Sequence, residues 1–158
     1  MLFRSREDFP AGYYSPGSTP GVRGAKTLLL THINHVQPKV APTATLEDDR
    51  ILEIDWDGKI LWQWVASDHV DDFKFDKVAR ESMAKAAGVN QQRGSYDWIH
   101  LNSATYVGPN KWFDAGDTRF APQNVIVSSR EASLLAIIAR DGSIVWQMGP
   151  DYSATPEL

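Results

Sequence analysis

Apolar positions along this chain fall in short runs that alternate with polar ones, and Gly, Pro, Asn and Asp break the runs at short intervals. That pattern predicts strands. KTLLLTHINHV (26–36) reads as a strand and QPKVAPTATLEDD (37–49) as a loop. RILEIDWDGKILWQWV (50–65) carries apolar runs on both sides of Asp57-Gly58, a strong short-range hairpin signal. The acidic DHVDDF (68–73) reads as a loop, and DKVARESMAKAAG (76–88) as the one convincing helix, an insertion near 76–87 that Gly88 closes. DWIHLNSATYV (97–107) returns to strand, and GPNKWFDAGDTRFAPQ (108–123) is a long loop with turn residues at both ends. NVIVSSR (124–130) and SLLAIIARDGSIVWQMG (133–149) supply three more strands, the last two joined at Asp141-Gly142. Residues 1–24 include the Pro- and Gly-rich REDFPAGYYSPGSTPGVRG and read as an extended segment.

The two hairpins repeat. IDWDGKILWQ (54–63) laid over IARDGSIVWQ (138–147) gives six identities in ten, at an offset of 84 residues (141 − 57). A repeated strand–turn–strand unit marks propellers and solenoids. The offset fits either two blades of roughly 40–45 residues or one enlarged blade. Only two strands separate the hairpins, and with the second hairpin they complete a four-stranded blade. One enlarged blade is therefore preferred. A β-sandwich would not explain the repeated DG-x-I-x-W-Q. The expected fold is all-β: part of a β-propeller, about two four-stranded blades in a single partial domain spanning 1–158, not closed. A propeller closes with four to eight blades, so the chain is expected to be a fragment of something larger.

Bulk properties narrow the partners. The 158 residues are 42% hydrophobic and 23% charged, with a formal net charge of −4 and no cluster of Lys and Arg. Nucleic acid is not expected. No apolar run approaches a membrane span, and the start MLFRSRED has no signal-peptide pattern. Cysteine is absent, which removes disulfides, thiol catalysis and thiolate metal sites. Six tryptophans and five tyrosines agree with a sheet protein.

Chemistry concentrates in SYDWIHLNS (95–103). On an alternating strand Trp98, His100 and Asn102 share one face, and two polar groups on an apolar face need partners. Either they form a satisfied network, or they line a site.

DWIHLNSATY, followed by NVIVSSREASLLAIIARDGSIVWQMG, resembles the arylsulfotransferase (aryl-sulfate sulfotransferase) family, whose pattern is D-W-x-H-x-N-S, a strand ending S-S-R, and a hairpin of the form G-x-I-V-W. REDFPAGYYSPG and EDDRILEIDWDGKILWQW resemble it as well, so the likeness runs from about Arg6 to the C-terminus and covers the middle of a family member. The resemblance implies a six-bladed propeller that moves a sulfuryl group from a phenolic sulfate ester to a phenol through a sulfohistidine. It implies His100 and Arg130 as catalytic residues, with Asn102 and Asp97 binding substrate or orienting His100. The histidine that becomes sulfurylated is expected beyond Leu158, so the chain alone is expected to be inactive. No cofactor and no metal are expected. An extracytoplasmic address follows from the resemblance alone. The His100–Arg130 separation of 30 residues is longer than the family's usual spacing because residues 108–123 are inserted. A non-catalytic propeller binding through its rim loops is the alternative reading, and a sulfate-ester hydrolase on the same scaffold a third.

The remaining features have milder readings. His32 and His35 form H-x-x-H, which a strand points to opposite faces, away from a shared metal. His69 lies among Asp68, Asp71 and Asp72, read as a solvated acidic turn in preference to a calcium loop. Residues 108–123 are read equally as a substrate lid and as a rim insertion packing Trp112 and Phe113. Trp62 and Trp146 hold matched repeat positions and are expected in the core.

Overall fold

The computed structural model describes residues 26–90 and 94–149, together with the backbone of Phe3–Arg4. Most of the extended 1–24 segment, and the chain after Gly149, lie outside the described residues.

Among the described residues, two largely antiparallel sheets account for the architecture, and neither closes on itself. The first runs β1 (Phe3–Arg4), β2 (Thr27–Val36), β3 (Thr45–Ile54) and β4 (Ile60–Val65) in sequence order. A short strand β5 (Tyr96–Asp97) pairs parallel with Leu46 and Glu47 of β3, on the edge that β4 uses further along. The second is a four-stranded meander of β6 (Leu101–Tyr106), β7 (Val125–Ser129), β8 (Leu134–Ile138) and β9 (Ile144–Met148). The chain is all-β with few helices, as its alternation predicts.

The repeat survives as geometry. Gly58 and Gly142 take positive φ (84° and 94°), a conformation an L side chain strains to adopt. Ile54 pairs with Ile60 and Ile138 with Ile144, and a bulge falls just before Ile54 in one hairpin and just before Ile138 in the other. Trp62 lies opposite Glu53 and Trp146 opposite Ile137, so the two tryptophans are equivalent to the residue. Both are half-buried, however, which corrects the core assignment. Trp62 carries the Arg140 guanidinium 4.6 Å from its ring centre, and Trp146 meets Phe120 of the long loop at 6.0 Å. The deeply buried indole of the first hairpin is Trp64, whose Nε1 donates to Gly142 O at 3.0 Å. Trp62 Nε1 donates to Arg140 O at 3.0 Å, so β4 grips the turn of the second hairpin through two indoles.

One core joins the sheets. Leu46, Ile51, Phe73, Trp98, Ile99, Val125, Val127, Ala136 and Ile138 are all buried in it. Phe73 meets Trp64 and Trp98 edge-on, each at 6.2 Å, and such pairs add about 0.5–1.5 kcal/mol beyond area burial. Glu53 supplies a charged tie: Tyr106 of β6 donates to it at 2.7 Å, and Lys26 and Arg140 approach to 3.0 and 2.9 Å. Those partners outweigh its desolvation and hold its carboxyl below the usual range.

Helix α1 spans Lys77–Asn90, with Asp76 capping it through Ala79 N at 2.8 Å. It runs past Gly88 because Ala79 and Ala87 bury one stripe against the core and Met83 packs beside them. The larger departure is β3. Residues 45–49, read as loop from their acids, are strand, paired residue for residue with β2 from Thr27↔Ile54 to Val36↔Thr45. Leu46 and Asp48 of that stretch are completely buried.

Candidate active site

The expected strand 97–107 is two strands in two sheets. Tyr96–Asp97 ends in the first sheet, Leu101 opens the second, and Trp98–His100 make the crossing. The turn is taken at His100, whose φ is +47°. A non-glycine residue held there stores roughly 1–3 kcal/mol and persists only where its surroundings fix it. They do so from both sides. Arg130 N donates to His100 O at 2.9 Å and Glu131 N to Ile99 O at 3.3 Å. Ser129 Oγ donates to Ile99 O and accepts from Ala132 N, and Leu101 N donates to Asp49 Oδ2 at 2.8 Å.

This local fold corrects the shared-face reading of Trp98, His100 and Asn102. Trp98 and Ile99 are both buried, because the crossing residues do not alternate. Asn102 falls in a bulge between Leu101 and Ser103 with an exposed side chain. The structure brings Asp97 to His100 and does not bring Asn102 into hydrogen-bond contact with either.

His100 and Arg130 meet at one carboxylate. His100 Nδ1 donates to Asp97 Oδ2, and Arg130 Nη2 lies 4.0 Å from that same oxygen. Asp97 thereby fixes the imidazole tautomer and ring direction, leaving Nε2 as the ring's second functional nitrogen. Arg130 begins the turn after β7, more than half exposed, and its guanidinium is engaged by its sequence neighbour Glu131 at 2.8 Å. An incoming anion therefore competes with Glu131 for the arginine.

Asp49 completes the group. Burial pushes its carboxyl up to about 6. The Leu101 amide and His100 pull it down, while Asp97 and Asp48 push with the burial. Neither Asp49 nor Glu131 was legible as a site residue: one sat in an apparent loop, the other beside a better-marked arginine. The available signal was TLEDDRILEI, where acids adjoin an apolar run without a Gly or Pro between them.

The other candidates fall elsewhere. His35 and His32 do face opposite sides of β2: His35 Nε2 meets Asp48 at 2.7 Å, and His32 Nδ1 lies 3.7 Å from Glu47. His69 stacks on Trp64 (5.0 Å between ring centres) and pairs with Asp72 at 2.9 Å. Asp71 is held by Lys39 and Arg80. Asp71 and Asp72 of the 68–72 turn are thus engaged with side chains of the protein itself.

The long loop opens at the Tyr106↔Val125 end of the second sheet, whereas His100 and Arg130 flank the Leu101↔Ser129 end. Four residue steps along β7 separate those ends, roughly 13 Å at 3.3 Å per residue. The packing expected of the rim reading is corrected: Trp112 and Phe113 are both exposed, and Trp112 stacks within the loop itself. Helix α2 (Lys111–Asp114) is capped by Asn110, and Trp112 stacks on Phe120, which reaches Trp146.

A model of the arylsulfotransferase (ASST) family matches residues 21–158. No curated relative and no solved structure matches the chain.

Proposed function

The chain belongs to the arylsulfotransferase family, and from that premise we propose that the His100–Asp97–Arg130 cluster binds and activates a phenolic sulfate ester for sulfuryl transfer to a phenol. The observation that carries this reading is the shared carboxylate: one Asp97 oxygen orients the imidazole and stands 4.0 Å from the guanidinium.

Each group has a part that suits its chemistry. Arg130 exchanges Glu131 for the sulfuryl oxygens, two of which its planar fork engages together. His100, its Nδ1 proton committed to Asp97, presents Nε2 to the bridging oxygen of the ester. In its doubly protonated form the ring gives its Nε2 proton to that oxygen as the S–O bond breaks, phenol leaves, and His100 is left neutral with its Nδ1–H still on Asp97. The same nitrogen takes a proton from the acceptor phenol in the return step. The sulfur passes meanwhile to a separate histidine as sulfohistidine, and neither His100 nor Arg130 is assigned that role. Because the strained backbone at His100 is fixed before substrate arrives, the site reorganises little during the reaction.

The test measures turnover of a phenyl sulfate and melting temperature on one variant, His100→Ala in the intact protein. Turnover is expected to fall roughly a hundredfold or more, as for a removed transition-state donor, with the melting temperature nearly unchanged. A variant that melts early yet turns over normally per folded molecule makes His100 a structural residue and ends the proposal.

A further inference from the structure

Two consecutive aspartates in the middle of β3 hold the residues on either side of His100. Asp49 Oδ2 accepts from Leu101 N at 2.8 Å. Asp48 faces the other side of the sheet and is fully buried. Its Oδ1 accepts from Trp98 Nε1 at 2.8 Å and Ser67 N at 3.2 Å, and its Oδ2 pairs with His35 Nε2 at 2.7 Å. Trp98 and Leu101 bracket Ile99–His100, the part of the crossing that carries the positive φ. Two acids at adjacent strand positions point to opposite faces, so between them they fix a chain segment that passes from one sheet to the other.

We propose that Asp48 and Asp49 form a positioning clamp for His100, and that Asp49 is its pH-sensitive half. The clamp stands on its hydrogen bonds and on the burial of Asp49, and its consequence for turnover rests on the sulfuryl-transfer reading. Asp48, with three donors around it, is the fixed half. Asp49 has one hydrogen-bond donor, Leu101 N, and titrates near 6 because burial disfavours its charge. The groups around it are His32, its cross-strand partner on β2, with Glu47, Asp48 and Arg50 on β3. Asp97 on β5, His100 in the crossing, and Arg130 by way of Asp97 complete its surroundings. A charged Asp49 makes a charge-assisted bond to the Leu101 amide, about twice as strong as the neutral one left after protonation. Acidification through about 6 therefore loosens Leu101 and lets His100 relax from its strained conformation.

The experiment follows the Leu101 amide by 15N NMR from pH 5 to pH 7, with phenyl sulfate turnover measured in the intact protein. In the unaltered protein the amide resonance titrates with a midpoint near 6, and Asp49→Asn abolishes that titration. Asp49→Ala lowers turnover at pH 7 by roughly a hundredfold, the scale of a misplaced catalytic group. Asp49→Asn, which keeps an acceptor oxygen, recovers part of the loss and flattens the acid limb of the pH profile. Asp48→Ala empties a buried site, so Trp98→Phe tests that half, removing the indole donor and keeping the ring. It lowers kcat and leaves KM unchanged. A Leu101 amide that does not respond to pH, or full turnover in Asp49→Ala, overturns the clamp. A titrating amide in a protein that turns over no phenyl sulfate sustains the clamp and overturns the sulfuryl-transfer reading.

Discussion

The two ends of the second sheet are built from the same four strands and differ in how their backbone is satisfied. At the Tyr106↔Val125 end, the long loop meets its own needs. Asn110 Nδ2 donates to Gly108 O and Phe120 O, its Oδ1 accepts from Phe113 N, and Asp117 pairs with Arg119. The positive φ in that loop falls on the glycines 108 and 116. At the Leu101↔Ser129 end, positive φ falls on His100 and Ser133, neither of them glycine. Two of the carboxylates there, Asp97 and Asp49, are brought in from the other sheet. The long loop at one end is built by its own local sequence. The other end is held in a costly conformation by long-range contacts, and that is where the histidine and arginine converge.

The largest effect that sharpens this contrast is expected at Arg130. Arg130→Ala should lower kcat/KM for a phenyl sulfate by roughly a hundredfold or more, as for loss of a charged transition-state donor. Arg130→Lys should restore only part, because an ammonium offers no bidentate fork. The Arg130 side chain is more than half exposed, and its bond to His100 O comes from the backbone, so both variants should fold normally. Full rescue by lysine would show that a point charge suffices and would remove the bidentate role.

A smaller effect separates strain from stability at the same end. Asp49 has a folded value of about 6 against the ordinary 3.8, so the folded protein holds that proton more tightly than the unfolded chain. Stability from this group is therefore greatest below about 4 and declines as pH rises through about 6. Asp49→Asn should stabilise the protein at pH 7 by up to about 3 kcal/mol, at 1.36 kcal/mol per pKa unit, and by almost nothing at pH 4. Melting temperatures at the two values check it. A variant less stable than the parent at pH 7 would mean that the carboxylate earns more from Leu101 than its burial costs. Higher stability with lower turnover would place the cost of Asp49 on the functional side.

The same division explains what was legible in the sequence. Both hairpins were, down to the pairing across Asp57-Gly58 and Asp141-Gly142, because turn chemistry and two-residue alternation are local signals. His100, Asp97 and Arg130 stood out through a resemblance, and their convergence needed only adjacent strand ends. The break at His100 was not legible, since nothing in DWIHLNS announces positive φ on a histidine. Asp48 and Asp49 were misread as loop because polarity stood in for exposure, whereas their partners lie 19 and about 50 residues away in the chain. Trp62 and Trp146 show the same limit. The repeat matched their positions, but the first is covered by Arg140 and the second by the loop that only one hairpin has.

The smallest expected effect lies at the loop end, on Trp112. Its ring is more than half exposed, stacks on Phe120 at 5.3 Å, and lies beneath Lys111 at 5.1 Å. Removing it leaves the Asn110 cap and the Asp117–Arg119 pair in place, because neither uses the indole. An exposed aromatic contact of this kind is worth about 0.5–1.5 kcal/mol, so Trp112→Ala should lower the melting temperature slightly. With a strand length, roughly 13 Å, between this loop and the His100 end of the sheet, turnover of a phenyl sulfate should stay within about twofold of the parent, the scatter of a surface change that touches no reacting group. A large loss in KM with an unchanged melting temperature would bring the loop back as a substrate lid. It would also require the aryl group to reach the far end of the sheet from the imidazole that protonates its oxygen.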